Sequence, residues 1–281
     1  MLSLDDLDAA LALSAAAGWN QRLDDWSMLL RLAPAGSFAA IANGRIVGTA
    51  IGIDYGAFGW IAMMLVDPAY RGQGVGRRLL EAAMEALPSD RPIRLDATPM
   101  GRPLYQRCGF EDEAMLTRHV ISDATSHSES SLVRPLTAAD LQIVTQQDRW
   151  VFGGTRDRLL AWVLDTAPRY GHVVRGDAGL AHYCLGREGR LFDQIGPVVA
   201  GDDGVAKALV KAALASAGGR PVVVDAFDAH HLFTTSLRTL GFQAQRPLYR
   251  MCRRAGRVAT SIGIQKPPAL VEFAILGPEF A

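Results

Sequence analysis

Apolar residues recur at helical spacing from Leu4 to Leu32, and the period breaks at Gly18-Trp19-Asn20. This predicts two helices joined by a turn. The pattern then changes. Ser37 to Ala42 and Arg45 to Ile53 read as strands. They are joined by Asn43-Gly44, a dipeptide that accepts the left-handed backbone of a two-residue hairpin turn. Gly59 to Val66 is apolar without interruption, as expected of a strand central in its sheet. From Gly74 to Leu87 the helical period returns as the stripe Leu79, Leu80, Ala83, Met84 and Leu87, and Pro88 stops it. Ile93 to Ala97 predicts a strand, Arg102 to Cys108 a short helix, and Glu113 to Ile121 a last strand. Helices interleave with hairpin strands, so the fold class is α/β (α+β), with a mixed, mostly antiparallel sheet flanked by helices.

The pattern then repeats. Residues 122–131 are polar and small, and read as a linker. Pro92-Ile-Arg-Leu-Asp-Ala97 recurs as Pro221-Val-Val-Val-Asp-Ala226. Gly109-Phe110 followed by Leu-Thr-Arg118 recurs as Gly241-Phe242 followed by Leu-Tyr-Arg250. The helix opening at Gly74 has a counterpart opening at Gly204. Matches in one order at nearly constant offset indicate a tandem duplication. The expected organisation is one unit over 1–124, a linker over 125–131 and a second, altered unit over 132–281.

Composition narrows the field. At 281 residues, 49% hydrophobic and 21% charged, the chain can bury substantial cores. No apolar run is long enough to span a bilayer, and the acidic start MLSLDDLDAA is not a secretory signal, so no membrane partner is expected. Cys108, Cys184 and Cys252 are odd in number, far apart and without metal-ligand spacing. They read as reduced thiols of a cytoplasmic protein, and no metal is expected. Twenty-nine basic residues balance 29 acidic ones, which argues against a nucleic-acid partner. The zero hides a net −5 over residues 1–130, from 11 Arg against 16 Asp and Glu, and a net +5 over the remainder.

The chemistry concentrates in Met63-Met-Leu-Val-Asp-Pro-Ala-Tyr-Arg-Gly-Gln-Gly-Val-Gly-Arg-Arg78. An apolar strand runs into a loop with three glycines, and a helix follows at once. Glycines permit positive φ and close approach of backbone N–H groups to a ligand. The helix N-terminus adds unpaired donors and partial positive charge, so the segment is an anion site suited to a pyrophosphate. Arg71, with Arg77 or Arg78, can add charge-assisted bonds. A Walker loop would need Gly-Lys-Ser/Thr, and a dinucleotide fingerprint a different glycine spacing after the first strand. Neither fits.

Arg71, Gly74 and Gly76, between central strand and helix, match the Arg/Gln-x-x-Gly-x-Gly/Ala motif of the GNAT acyl-CoA transferases. The Tyr four residues before a Gly-Phe pair in that family is matched by Tyr105 in Leu104-Tyr-Gln-Arg-Cys-Gly-Phe110. Residues 1–121 thus resemble the family well and 132–252 more faintly, as a tandem member with a degenerate second copy. The resemblance implies acetyl-CoA as co-substrate, wedged between two splayed parallel strands. Backbone groups of Met64, Leu65 and Val66 would meet the pantetheine arm, and Arg71, Gly72, Gln73, Gly74, Val75, Gly76 and Arg77 the pyrophosphate. Thr98 stands where many members have a cofactor-contacting Asn. Trp19, Asn20 and Trp26 lie where the family places substrate-facing helices; core packing is the competing role for the tryptophans.

Acyl transfer to an amine needs a deprotonated amine, a stabilised oxyanion and a proton for the departing thiolate. Tyr105 can supply the proton, its ordinary pKa near 10 lying close to that of a thiol. A backbone N–H near Leu65 would serve the oxyanion. The central strand, Trp60-Ile-Ala-Met-Met64, has no carboxylate to act as base. Asp54 and Asp96 stand on neighbouring strands, but Asp96 recurs as Asp225, which favours a structural role, and deprotonation through ordered water is preferred. In the second copy the loop reads Gly201-Asp202-Asp203-Gly204-Val205-Ala206, and Leu237 replaces the tyrosine. Two carboxylates oppose a phosphate and suit a helix cap instead. Asp228, His230 and His231 form a strand-to-helix loop better read as a cap than as a metal site. The expected activity is transfer of an acetyl group from acetyl-CoA to a small-molecule amine with Tyr105 as general acid. The alternatives are a non-catalytic acyl-CoA sensor and a protein or peptide N-acetyltransferase.

Overall fold

The computed structural model of the chain describes residues 1–124, 132–176, 179–255 and 270–281. The predicted linker, 125–131, lies outside the described residues. Two compact units are present. One comprises Met1–Glu113, Arg250–Thr260 and Pro278–Ala281; the other comprises Ala114–Tyr249 and Ser261–Gly277.

The first unit begins with α1 (Leu7–Ala16) and α2 (Leu23–Leu32), which flank the break seen at Gly18. The sheet follows as β1 (Ser37–Ala42), β2 (Arg45–Asp54) and β3 (Gly59–Val66). Asn43 and Gly44 both adopt positive φ, 51° and 71°, and close the β1–β2 hairpin. Then come α3 (Val75–Glu85), β4 (Ile93–Ala97) and α4 (Arg102–Arg107). The strand order is β1-β2-β3-β4, so the uninterrupted apolar segment β3 is indeed internal. β1, β2 and β3 are antiparallel, whereas β4 runs parallel to β3. Its glycines fit α3 against the sheet: a Cβ on Gly52 would stand 2.5 Å from the Ala83 carbonyl oxygen.

The second unit contains β5 (Glu111–Ile121) from Ala114 onward, β6 (Arg134–Pro135), α5 (Leu141–Phe152), α6 (Asp157–Thr166), β7 (His172–Arg175) and β8 (Ala181–Arg187). It continues with β9 (Asp193–Ala200), α7 (Asp203–Ala215), β10 (Val222–Phe227), α8 (His231–Thr239), β11 (Gln243–Arg253) as far as Tyr249, and β12 (Val271–Ile275). Its strand order is β11-β5-β10-β12-β9-β8-β7-β6. The core gathers Leu209, Val210, Val224, Phe233, Leu237 and Phe242 between α7, α8 and the sheet.

The repeat does not fold as two self-contained halves. β5, the last strand of the first copy, pairs antiparallel with β10 of the second, from Val222↔Ile121 to Phe227↔Leu116. Conversely, the last residues of β11, from Arg250, belong to the first unit. Two ion pairs, each built from one residue of either copy, accompany the exchange. Arg118 grips Asp225 through Nε and Nη2, both at 2.7 Å, and Arg250 grips Asp96 in the same way at 2.9 Å. The duplicated Asp and Arg are thus partners crosswise. A unit boundary inside β5 is invisible to the hydrophobic period, which reports that one face is buried and not which sheet buries it.

Candidate functional site

The loop after β3 presents backbone donors. Gly72 and Gly74 take φ of 75° and 77°, and a Cβ at either would meet nothing within 4 Å. These glycines therefore serve the left-handed backbone rather than a tight fit. Gly74 is the N-cap of α3, and Arg78 N–H donates to the Gly74 carbonyl as the first helical bond. Among the described residues, the amides of Gly72, Gln73, Gly74, Val75, Gly76 and Arg77 have no acceptor. No acid stands in the first turn of α3 to compete for them. Arg71 is exposed and donates from Nε to the Val66 carbonyl at 3.0 Å, which holds the loop against the end of β3. Arg77 is exposed too, paired with Glu81 one turn on.

β3 and β4 make the second element. Their parallel ladder holds only for Gly59↔Ile93 and Trp60↔Arg94, although β3 continues to Val66. Beyond Trp60 the strands part, and an opening faces the end of β3 where the amides are. A bulge lies in the same stretch. Thr49 pairs with Leu65 and Ile51 with Ala62, so Met63 and Met64 together oppose Ala50. Met63 takes φ of 50°, unusual for a side chain of its size, and its carbonyl is fixed by the Thr49 hydroxyl at 2.8 Å. The bulge takes Met63 and Met64 out of register with β2, while Leu65 and Val66 stay paired with Thr49 and Gly48.

Tyr105 and Thr98 come together around Gly101. A Cβ on Gly101 would lie 3.1 Å from Tyr105 Cε2 and 3.5 Å from Thr98 Oγ1. Thr98 Oγ1 accepts from Gly101 N–H at 3.2 Å. Tyr105 is buried, packs edge-on to Phe110, and its hydroxyl has no partner among the described residues. Burial, reinforced by Cys108, pushes its phenol well above the ordinary value of 10. The phenol is therefore a protonated donor across the physiological range.

The remaining candidates separate. Trp26 is fully buried and donates from Nε1 to the Ser14 hydroxyl at 3.1 Å, tying α2 to α1, so it is a core residue rather than a pocket wall. Asp96 has both oxygens held by Arg250 and a fully buried side chain, so it is a structural anion rather than an acceptor-facing one. Asp54 sits in an exposed ion pair with Arg91. Trp19 is partly buried and Asn20 buried, both in the α1–α2 connection. Sequence reasoning missed that connection's Gln21, and it missed residues 278–281. Trp60 Nε1 donates to the Pro278 carbonyl at 3.2 Å, the Tyr55 hydroxyl to the Phe280 carbonyl at 2.8 Å, and Gln21 Nε2 to Glu279 Oε1 at 2.9 Å. More than 200 residues separate these partners, and no local pattern joins them.

The second copy has lost the same features in three dimensions. Asp202 accepts from Val205 N–H at 2.9 Å and caps α7, so a carboxylate occupies the donors that its counterpart leaves open. Leu237 is wholly buried in the core. β9 and β10 pair in parallel only at Val222↔Asp193 and Val223↔Gln194, then diverge as β3 and β4 do. There the gap is filled: β12 pairs antiparallel with both β10 and β9. His230 caps α8 and contacts the Glu272 carbonyl through Nε2. No metal-binding group of three or more His, Cys, Asp or Glu occurs among the described residues.

A parallel strand pair that splays beside a bulge, with an amide cradle at its open end, is the arrangement that the sequence resemblance to acyl-CoA transferases implies. Comparison with known proteins agrees. The acetyltransferase (GNAT) domain family matches residues 34–112 and again 144–263, together more than half of the chain. The chain belongs to the GNAT acetyltransferases, as a tandem member, and it is an acyltransferase of the acetyl-CoA-dependent class. It is 27% identical over 195 residues to the uncharacterized N-acetyltransferase YitH of Bacillus subtilis (strain 168), covering 67% of each chain. Its fold resembles a candidate acetyltransferase from Pyrococcus horikoshii, with TM-score 0.77 and 21% identity over 100% of this chain and 94% of that one. A tandem GNAT protein from the clavulanic acid biosynthesis pathway matches with TM-score 0.63 and 16% identity, over 92% and 98%. No helix among the described residues is long and apolar enough to cross a membrane.

Proposed function

We propose that the first unit transfers an acetyl group from acetyl-CoA to a small-molecule amine. The opening between β3 and β4, ending beside six amides without acceptors, carries this reading. The residues fit the group: Gly72 to Arg77 supply backbone donors and Arg71 a nearby cation for the pyrophosphate. The Met64–Val66 backbone, beyond the last pair with β4, supplies polar groups for the pantetheine arm, and Thr98 lies beside Tyr105. When bound, the co-substrate supplies an acyl thioester, which an amine attacks with the thiol as leaving group. Tyr105 keeps its proton and hydroxyl available for that thiol, and a backbone N–H near Leu65, on the side where β4 has parted from β3, is the donor proposed for the carbonyl oxygen.

The filled gap between β9 and β10 and the Asp202 cap support binding in the first unit alone. Calorimetry with acetyl-CoA tests this. One site per chain is expected, and binding should be lost in Gly74→Val, which forces a branched side chain into a left-handed position. Absence of binding by the intact protein sinks the reading, and two sites per chain sink the assignment to one unit. One observation favours a second reading, an acyl-CoA sensor without turnover. The Tyr105 phenol is a weaker acid than the leaving thiol. Binding without thioester cleavage over a broad amine panel would select the sensor.

A further inference from the structure

β3 carries one residue more than its ladder with β2 needs, and the surplus sets the direction of everything beyond it. Ile51 pairs with Ala62, so unbroken pairing would place Met64 opposite Thr49; Leu65 stands there instead. Leu65 and Val66 are each displaced by one place, which reverses both the side-chain face and the backbone direction they would otherwise have. The packing shows the reversal. A Cβ on Gly48 would lie 2.9 Å from Leu79 Cδ1 of α3, and one on Gly76 of α3 would lie 3.5 Å from Val66 Cγ2. Val66, the partner of Gly48, therefore faces α3. Without the extra residue Leu65 would take that place. With it, Leu65 shares the opposite face with its partner Thr49, in the stretch where β4 has already parted from β3.

An extra residue must be held, or the strand slides back into simple register. Met63 makes the bend. Of the three non-glycine residues with positive φ among the described residues, it is the one inside a strand. A side chain of its size disfavours that conformation. Thr49 Oγ1 donates to the Met63 carbonyl at 2.8 Å, and Thr49 has no exposed surface. The bond thus joins a hydroxyl shielded from water to the residue that bends. Valine has the same shape as threonine and packs as well, so filling the core does not call for the hydroxyl at this position.

We propose that Thr49 is a positioning residue for acyl transfer, a role that rests on the acetyltransferase reading above. Its hydroxyl pins the Met63 bend, and the bend fixes the direction in which the Met64–Val66 backbone meets the acyl thioester arm. The pyrophosphate cradle at Gly72 to Arg77 lies beyond the end of β3 and does not depend on that bond. Loss of the hydroxyl therefore weakens one end of the co-substrate and spares the other.

Calorimetry on the full chain with acetyl-CoA, and with ADP as a competitor that carries the pyrophosphate but no pantetheine arm, tests this. In Thr49→Val acetyl-CoA affinity should fall about tenfold or more, the range for a buried acceptor left without its donor. ADP affinity should stay within about twofold of the starting protein, because the cradle is untouched. Thr49→Ser keeps the hydroxyl and should recover acetyl-CoA affinity to within about threefold. Ser37→Ala is the control: it removes another buried hydroxyl bond, from Ser37 Oγ to the Ala33 carbonyl at 2.7 Å, and should move neither affinity. An unchanged ratio of the two affinities in Thr49→Val, including equal loss of both, overturns the role. So does a Thr49→Ser variant as weak for acetyl-CoA as Thr49→Val, or an equal change of the ratio in Ser37→Ala. A starting protein that binds no acetyl-CoA, or binds it without competition from ADP, overturns the underlying reading instead, and the two failures are told apart.

Discussion

Arg118→Met should destabilise the second unit by about 3–5 kcal/mol at pH 7, the cost of leaving a buried charge without its partner. Asp225 is fully buried and both of its oxygens accept from Arg118 at 2.7 Å; Gln194 Nε2 adds one more donor at 3.1 Å. Burial pushes the Asp225 carboxyl upward, but Arg118 outweighs it, helped by Gln194 and Arg246, and the net direction is down. A carboxyl held below its unfolded value, about 3.9, contributes stability above that pH and loses it as pH falls through the folded value. In Arg118→Met burial dominates and the direction reverses. The penalty is then full at pH 7 and fades as the pH falls through the raised folded value. The gap between the two proteins is therefore widest at neutral pH and narrows toward pH 4. Hydrogen exchange at the amides of Val222–Phe227 reads this locally, which matters because a chain of two units need not unfold in one step. At roughly 1.4 kcal/mol per decade, protection should drop about 100- to 4,000-fold at pH 7. The double variant Arg118→Met with Asp225→Leu should recover to within about 1.5 kcal/mol of the starting protein. Unchanged protection in Arg118→Met, or a double variant as unstable as the single one, refutes the reasoning.

Three further outcomes follow from the site. Tyr105→Phe should lower turnover about 10²- to 10⁴-fold with acetyl-CoA affinity nearly intact, read by steady-state kinetics and calorimetry; unchanged turnover rejects the proton-donor role. Asp96→Asn should behave as a stability variant, lowering the melting temperature while leaving the pH profile of kcat/KM in the same place, because its carboxylate is committed to Arg250. Asp202→Ala should cost about 1 kcal/mol in the second unit through loss of the α7 cap, and calorimetry should still find one acetyl-CoA site.

The hydrophobic period and the turn residues predicted β3 and β4 to the residue, and α3 to within two residues at either end. Those features are local: an apolar run bounded by Gly and Asp, a helix opening at Gly74 and closing before Pro88. The cradle was legible for the same reason, since positive φ at Gly72 and Gly74 depends on the residues themselves. The exchange of β5 and β11 was not, because sheet partners are chosen by surfaces far apart in the chain. A trace was present in the recurrence of Asp96 as Asp225, which read as structural, but nothing in the sequence joined either Asp to the repeated Arg. The environment of Tyr105 was hidden in another way. Its ordinary acidity is a property of the residue, whereas its upward shift comes from burial that only the packed helix and Phe110 reveal.

The duplication also explains which features survive in both copies. Asp96 and Asp225 each bond an arginine supplied by the other copy, so a change at one position strands a buried charge that a change elsewhere must relieve. The loop residues have no such tie. Among the described residues the amides of Gly72 to Arg77 have no partner, whereas in the second copy Gly201 N–H donates to His182 Nδ1 and Val205 N–H to Asp202. Once β12 fills the gap between β9 and β10, a cap that satisfies the helix donors is worth about 1 kcal/mol, whereas an open anion site there is worth nothing. The same logic runs in reverse for the first copy. An α3 whose N-cap, Gly74, supplies no side-chain acceptor is less stable than a capped helix, and it lies in the unit whose strands remain parted. Stability left unclaimed at the mouth of an opening is what a site kept for a ligand requires.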